Sequence, residues 1–164
     1  MLLVVMAIAP ISATANVKYR TCGDAAITES PAGTFNIVVG AGRYGGVYLN
    51  SKSNSGKAIG DVSFSFTATG DFGGGAPRFS LPINATGTDN SVEYYAFIDR
   101  TSCGGAVLVS TDSATCIVYA GSEVFANWAA FAAAHPTYRI APGYIPFMIS
   151  DAPGAYIVSD IDLR

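Results

Sequence analysis

The sequence predicts an all-β domain: an antiparallel β-sandwich, jelly-roll-like, with one short α-helix. Three observations lead there. Apolar and polar residues alternate over short runs, as in strands with one buried and one solvated face. Eighteen glycines and eight prolines punctuate those runs, as closely spaced turns require. Half of the 164 residues are hydrophobic and only 13% are charged. That is enough apolar surface for one enclosed core and far from the composition of a disordered chain.

The elements follow in order. Leu2 to Ala9 is an apolar run too short for a bilayer, which takes roughly 20 apolar residues. Ala13 and Ala15 then give the A-x-A pattern of signal-peptidase sites, so residues 1–15 read as a signal peptide and residues 16–164 as the exported domain. No Lys or Arg precedes the run, and the competing reading is a buried strand that opens the domain. The export reading implies a secreted, extracellular protein with no membrane span after cleavage.

Phe35 to Val39 and Val47 to Leu49 read as the first strands. In Asp61 to Thr67, Val62, Phe64 and Phe66 face one way while Ser63, Ser65 and Thr67 face the other. Gly70 to Pro77 is a glycine-rich turn, after which Phe79, Leu81 and Ile83 alternate again. Further strands are expected at 92–98, 106–109, 116–119, 138–140, 145–149 and 156–163, giving nine or ten in all. One segment breaks the pattern. Ser122 can cap a helix with Glu123 in its first turn. Val124, Phe125, Trp128, Phe131 and Ala132 then recur at helical spacing until Pro136 stops the run.

Cys103 and Cys116 flank a segment rich in Gly, Ser and Thr and are expected to form a disulfide in an oxidising compartment. Cys22 is then left over: free, paired with another chain, or short of a partner. Three Cys and one His without Cys-x-x-Cys or His-x-x-x-His spacing do not make a zinc site. The net charge is −3 and the basic residues are scattered, which argues against nucleic-acid binding and against an anionic membrane surface.

The sharpest local motif is Gly40-Ala41-Gly42-Arg43-Tyr44-Gly45, which follows an apolar strand and matches the dinucleotide fingerprint G-x-G-x-x-G, with Asp61 about 20 residues further on. The context fails, because Gly46 to Gly56 is poor in helix formers and Asp61 opens a strand. A glycine-rich hairpin turn is the expectation, and no organic cofactor. His135 reads as a helix-end cation, and no G-x-S-x-G elbow accompanies it. Glu29, Glu93 and Glu123 read as solvated acids, since nothing in the spacing makes two of them face each other as glycoside hydrolysis requires. Asp160 and Asp162 could hold a structural Ca²⁺, although no EF-hand pattern is present. Asn84-Ala85-Thr86 is an N-glycosylation sequon, relevant in a eukaryotic source.

Tyr44, Tyr48, Tyr94 and Tyr95 are the candidate ligand-binding residues. Exposed aromatic rings stack on the C–H faces of sugars, while a buried tyrosine simply packs its ring and wets its hydroxyl. Alternation puts Tyr94 and Tyr95 on opposite faces, so only one of them can be core.

Gly73-Gly74-Gly75-Ala76-Pro77-Arg78-Phe79-Ser80-Leu81 resembles a signature of secreted microbial β-sandwich domains of unassigned function, which read GGGSPRFSI. The Tyr95 to Asp99 strand, Cys103 and the Tyr156 to Ile161 strand stand in the corresponding places. The last of these also resembles the closing strand of carbohydrate-binding jelly rolls. The likeness spans about residues 60 to 164 and brings no functional residues, and Asn84 stands where that family often has Asp. With the fold, it leads to the expectation of a noncatalytic extracellular module for a polysaccharide or cell-surface glycan. The alternatives are a structural or adhesive surface protein, self-associating through strand edges, and a polysaccharide hydrolase or lyase.

Overall fold

The structure, a computed structural model, describes residues 19–49, 54–87, 89–143 and 146–164. The expected signal peptide, residues 1–15, lies outside them, as does the start of the strand expected at 145.

Two antiparallel sheets pack face to face. The larger has eight strands: β1 (Tyr19–Gly23), β4 (Gly45–Leu49), β12 (Phe147–Ser150), β6 (Arg78–Asn84), β7 (Tyr94–Asp99), β9 (Val118–Ala120) and β10 (Glu123–Phe125) in spatial order, with β11 (Arg139–Ile140) also beside β6. The smaller has five: β2 (Ala26–Glu29), β3 (Phe35–Val39), β13 (Gly154–Leu163), β5 (Phe64–Gly70) and β8 (Leu108–Ser110). A β-sandwich is therefore observed, with the alternation that predicted it visible in the burial. Phe64, Phe66 and Ala68 on β5 turn inward to meet Phe79, Leu81 and Ile83 on β6, and all six are buried. Phe64 and Phe79 stack across the two sheets with ring centroids 4.2 Å apart. Burying side chains of this size contributes about 1.5–3 kcal/mol each relative to exposure.

The helix is shorter and starts later than its periodicity suggests. Glu123 to Phe125 is strand β10, paired with β9, and helix α1 spans Trp128–Ala134. The cap is Asn127, whose side chain accepts from the Ala130 N–H at 2.9 Å, and not Ser122. Two-residue and three- to four-residue spacings coincide over Val124, Phe125 and Trp128, and pairing with β9 decides in favour of a strand. Trp128 and Phe131 pack on the core as expected, with Trp128 set edge-on against Phe64 at 5.4 Å.

Two other expectations are corrected. Gly40 to Tyr44 is a turn, closed by the Arg43 N–H on the Gly40 carbonyl at 3.1 Å, but it does not make a hairpin. It carries the chain from β3 in the small sheet to β4 in the large one. The next element is a strand, so no helix N-terminus faces the glycines. The strand expected from Asp61 begins at Phe64 instead, because Ile59–Asp61 forms a 3-10 turn. The edge strands β1 and β2 have exposed or half-exposed residues throughout, so their sequences carry no strong alternation.

Pro82 occupies an inner strand, where a missing N–H normally breaks the ladder. Its backbone faces the gap between β11 and β12, and its carbonyl accepts from Ala141 at 2.8 Å. The proline sits where no strand would have claimed its N–H.

Candidate functional site

The outer face of the large sheet is aromatic. The register gives one row across the sheet: Arg20 opposite Tyr48, Tyr48 opposite Phe147, Phe147 opposite Ser80, Ser80 opposite Phe97, Phe97 opposite Tyr119 and Tyr119 opposite Val124. Directly opposed side chains in a sheet lie about 4.5–5.5 Å apart at Cβ. Tyr48 is 36% exposed and Val124 62%. Phe97 and Tyr119 stack with centroids 5.3 Å apart. Ser80 also faces outward, yet it is buried.

Three of the four candidate tyrosines belong to this face. Tyr48 stands on β4 and Tyr44 immediately precedes that strand, with Gly46 midway between them in sequence. A side chain at Gly46 would collide with the Met148 carbonyl and crowd the Cys22 sulfur, so only glycine fits at this position. Tyr95 stands in the adjoining row, opposite Pro82, and is 39% exposed. Tyr94 points the other way. Its ring packs at the core margin beside Tyr138, with centroids 6.2 Å apart, and burial is the leading cause of a phenol pKa pushed above its ordinary range. Phe97 and Tyr119 were not singled out from sequence. Alternation with Tyr95 on β7 places Phe97 on the same side, so it was findable; Tyr119 needs the β7–β9 register.

Cys22 stands opposite Gly46 on β1, diagonally beside Tyr48, and the thiol and the phenol influence each other's titration. Burial pushes the Cys22 thiol up. The neighbouring Cys22 group, followed by burial, pushes the Tyr48 phenol up. Both remain neutral at physiological pH, and this part of the face carries no negative charge of its own.

Arg78 anchors the face. Its guanidinium binds Asp151 with a fork of two hydrogen bonds, at 2.8 and 2.6 Å, and lies 5.5 Å from the centre of the Phe97 ring. The GGGAPRFS segment thus has a visible structural role: the glycines take positive φ, the Ala76–Pro77 bond is cis, and the strand that follows delivers Arg78 to the surface and Phe79 to the core.

The three glutamates are each held by a local contact. Glu29 accepts from the Gly33 N–H at 2.7 Å, Glu93 accepts from the Ala85 N–H at 2.7 Å, and Glu123 meets His135 Nε2 at 3.0 Å. His135 caps the end of α1 and stacks on Tyr138 at 4.2 Å. Asp162 pairs with Arg164 at 2.7 Å. Among the described residues no group of three or more His, Cys, Asp or Glu is placed to hold a metal. A groove of about 590 Å³ opens at one end of the sandwich, lined by Asp61, Ser63, Asp112, Asn127 and Trp128 among others. Trp128 is buried there and donates its indole N–H to the Ile59 carbonyl at 3.0 Å, so it offers no stacking face.

Cys103 and Cys116 form the expected disulfide. No helix among the described residues is long and apolar enough to cross a membrane. Asn84, the sequon residue, is buried, and its amide donates to the Asp89 carbonyl, the Asp89 carboxylate and the Ser91 carbonyl at 3.0–3.1 Å. An N-linked glycan cannot be attached there in this fold. Compared with protein-family models, curated proteins and solved structures, the chain matches none.

Proposed function

We propose that this domain is a noncatalytic extracellular binding module whose ligand is a polysaccharide or cell-surface glycan lying across the aromatic face. The observation that supports this reading is the row from Tyr48 to Tyr119 across the exposed side of the large sheet, with Tyr95 beside it. Aromatic faces on a rigid sheet present a flat, pre-ordered stacking surface, and their phenol hydroxyls reach hydroxyl groups at the rim. The outer face of the small sheet differs in kind. It exposes Ser65, Thr67 and Thr69 with the aliphatic Val38 and Ile157, and offers no ring to stack on. The disulfide suits an oxidising, extracellular setting.

The test is affinity electrophoresis through gels containing soluble polysaccharides. Tyr48→Ala and Tyr95→Ala should each abolish retardation by the retained glycan, while Ile157→Ala on the opposite face should leave it unchanged. Retardation that survives both tyrosine substitutions would refute the assignment of this face.

A further inference from the structure

The charge around the aromatic row says which class of glycan it suits. The chain as a whole is acidic, with a net charge of −3. The outer face of the large sheet carries three arginines. Arg20 stands at the end of the row, directly opposite Tyr48. Arg139 on β11 lies opposite Asn84 and shares the outward side, since its neighbour Ile140 is the buried one. Arg78 is the third cation of this face.

Only Arg78 is neutralised, by Asp151. Among the described residues neither Arg20 nor Arg139 has a carboxylate within ion-pair distance. Arg139 gives one hydrogen bond, Nη1 to the Gly56 carbonyl at 3.2 Å, and the rest of its guanidinium fork is uncommitted. The acids near this side are held by local hydrogen bonds and none pairs with Arg20 or Arg139, although the Asp89 carboxylate lies close to the Arg139 row, bonded to the Asn84 amide. Asp99 is buried and holds the Ser102 N–H at 2.7 Å. Glu93 is tied back to Ala85 and Ser91. The two uncompensated arginines sit on different strands at different heights. The Arg139 row is four residues along β6 from the Ser80 row, about 13 Å at strand spacing.

Uncompensated guanidinium groups beside aromatic rings match a polymer that carries a carboxylate on its sugars. The ring faces take the C–H surfaces, and each arginine takes a carboxylate through paired N–H donors. We infer that the ligand of this face is an acidic, uronate-bearing polysaccharide, with Arg20 and Arg139 as its carboxylate-reading residues. The inference rests on the aromatic face being the glycan site.

The experiment compares polygalacturonate, its fully methyl-esterified form, a neutral galactan and dextran sulfate as ligands, using the wild-type protein, Arg20→Gln, Arg139→Gln and Tyr48→Ala. Far-UV circular dichroism verifies that each variant is folded. Polygalacturonate should bind at least tenfold more tightly than its methyl ester. Each arginine variant should lose at least fivefold towards polygalacturonate and nothing towards the ester. Equal binding of polygalacturonate and its ester, or of polygalacturonate and dextran sulfate, would overturn the uronate assignment. A neutral galactan bound in a Tyr48-dependent way would overturn it too, but would leave the glycan-module reading standing. Binding to none of the four would refute both.

Discussion

Arg78 and Asp151, 73 residues apart in sequence, are joined by two parallel hydrogen bonds between guanidinium and carboxylate. The pair fixes the edge of the glycine turn before β6 to the loop after β12, on the margin of the aromatic face. Both side chains are partly exposed, so the pair is worth less than a buried one. We expect Arg78→Ala to lower stability by about 1 kcal/mol. Arg78→Lys should recover little of it, because a lysine keeps the charge and loses the fork. Urea unfolding of the two variants measures this, and a fully stable Lys variant would show that charge alone matters.

The Cys103–Cys116 disulfide closes a loop with a sequence separation of 13. Both cysteines are buried. A loop of that size corresponds to about 3 kcal/mol in the chain-entropy account. Replacing both cysteines with Ser, or unfolding in the presence of a reductant, should lower stability by about 2–3 kcal/mol. An unchanged urea midpoint would mean that the loop is held by its hydrogen bonds alone.

Asn84 holds the loop from Ala85 to Ser91 through its amide, and Gly87 and the Asp89 carboxylate are drawn in around it. Asn84→Ala removes these part-buried hydrogen bonds while water can still reach the exposed Asp89, and should cost about 1–2 kcal/mol. Secretion from a eukaryotic host should give wild-type protein of unmodified mass. A folded protein carrying a glycan at Asn84 would contradict the buried amide.

Hydrogen bonds from Ser91 are the leading cause of the lowered pKa values of both Asp89 and Glu93. The sign follows from linkage. A carboxylate whose folded pKa lies below its unfolded value stabilises the fold above the unfolded pKa, about 3.9 for Asp and 4.3 for Glu, and loses that contribution as pH falls through the folded pKa. The thermal midpoint should therefore drop below about pH 4.5. Ser91→Ala should flatten the drop. An identical pH profile for the variant would remove Ser91 from the account.

Much of this was legible in the sequence, and the particular residues show where legibility ended. Strands β3, β5, β6 and β13 were readable because each buries one face against the opposite sheet, which imposes strict alternation on Phe35 and Ile37, on Phe64 and Phe66, and on Phe79, Leu81 and Ile83. Edge strands β1 and β2 face solvent for most of their length and carry no such imprint. At Val124 and Phe125 a short strand runs into a helix, and the two periodicities overlap within five residues. The disulfide was legible from its cysteines alone. The exposed tyrosines were legible as types, and Tyr95 as outward from its neighbour. The row itself was not. It is a product of register between strands far apart in sequence, and no local pattern reports that Tyr48, Ser80, Phe97 and Tyr119 share one line.

The Cys22 thiol beside Tyr48 gives a direct reading of what covers this part of the face. Burial holds Cys22 mostly protonated, so its alkylation by iodoacetamide at pH 8 should be several-fold slower than that of an exposed thiol. A glycan lying on Tyr48 should slow it further, and Tyr48→Ala should accelerate it. Ligand binding with no change in the alkylation rate would place the ligand elsewhere.

Amide and aromatic NMR shifts followed during titration with a bound oligosaccharide address the central claim most directly. The account predicts perturbations concentrated on Tyr48, Ser80, Tyr95, Phe97 and Tyr119, with β5 and β13 silent. Perturbations centred on the outer side of the small sheet, or on the groove at Asp61 and Asp112, would contradict it.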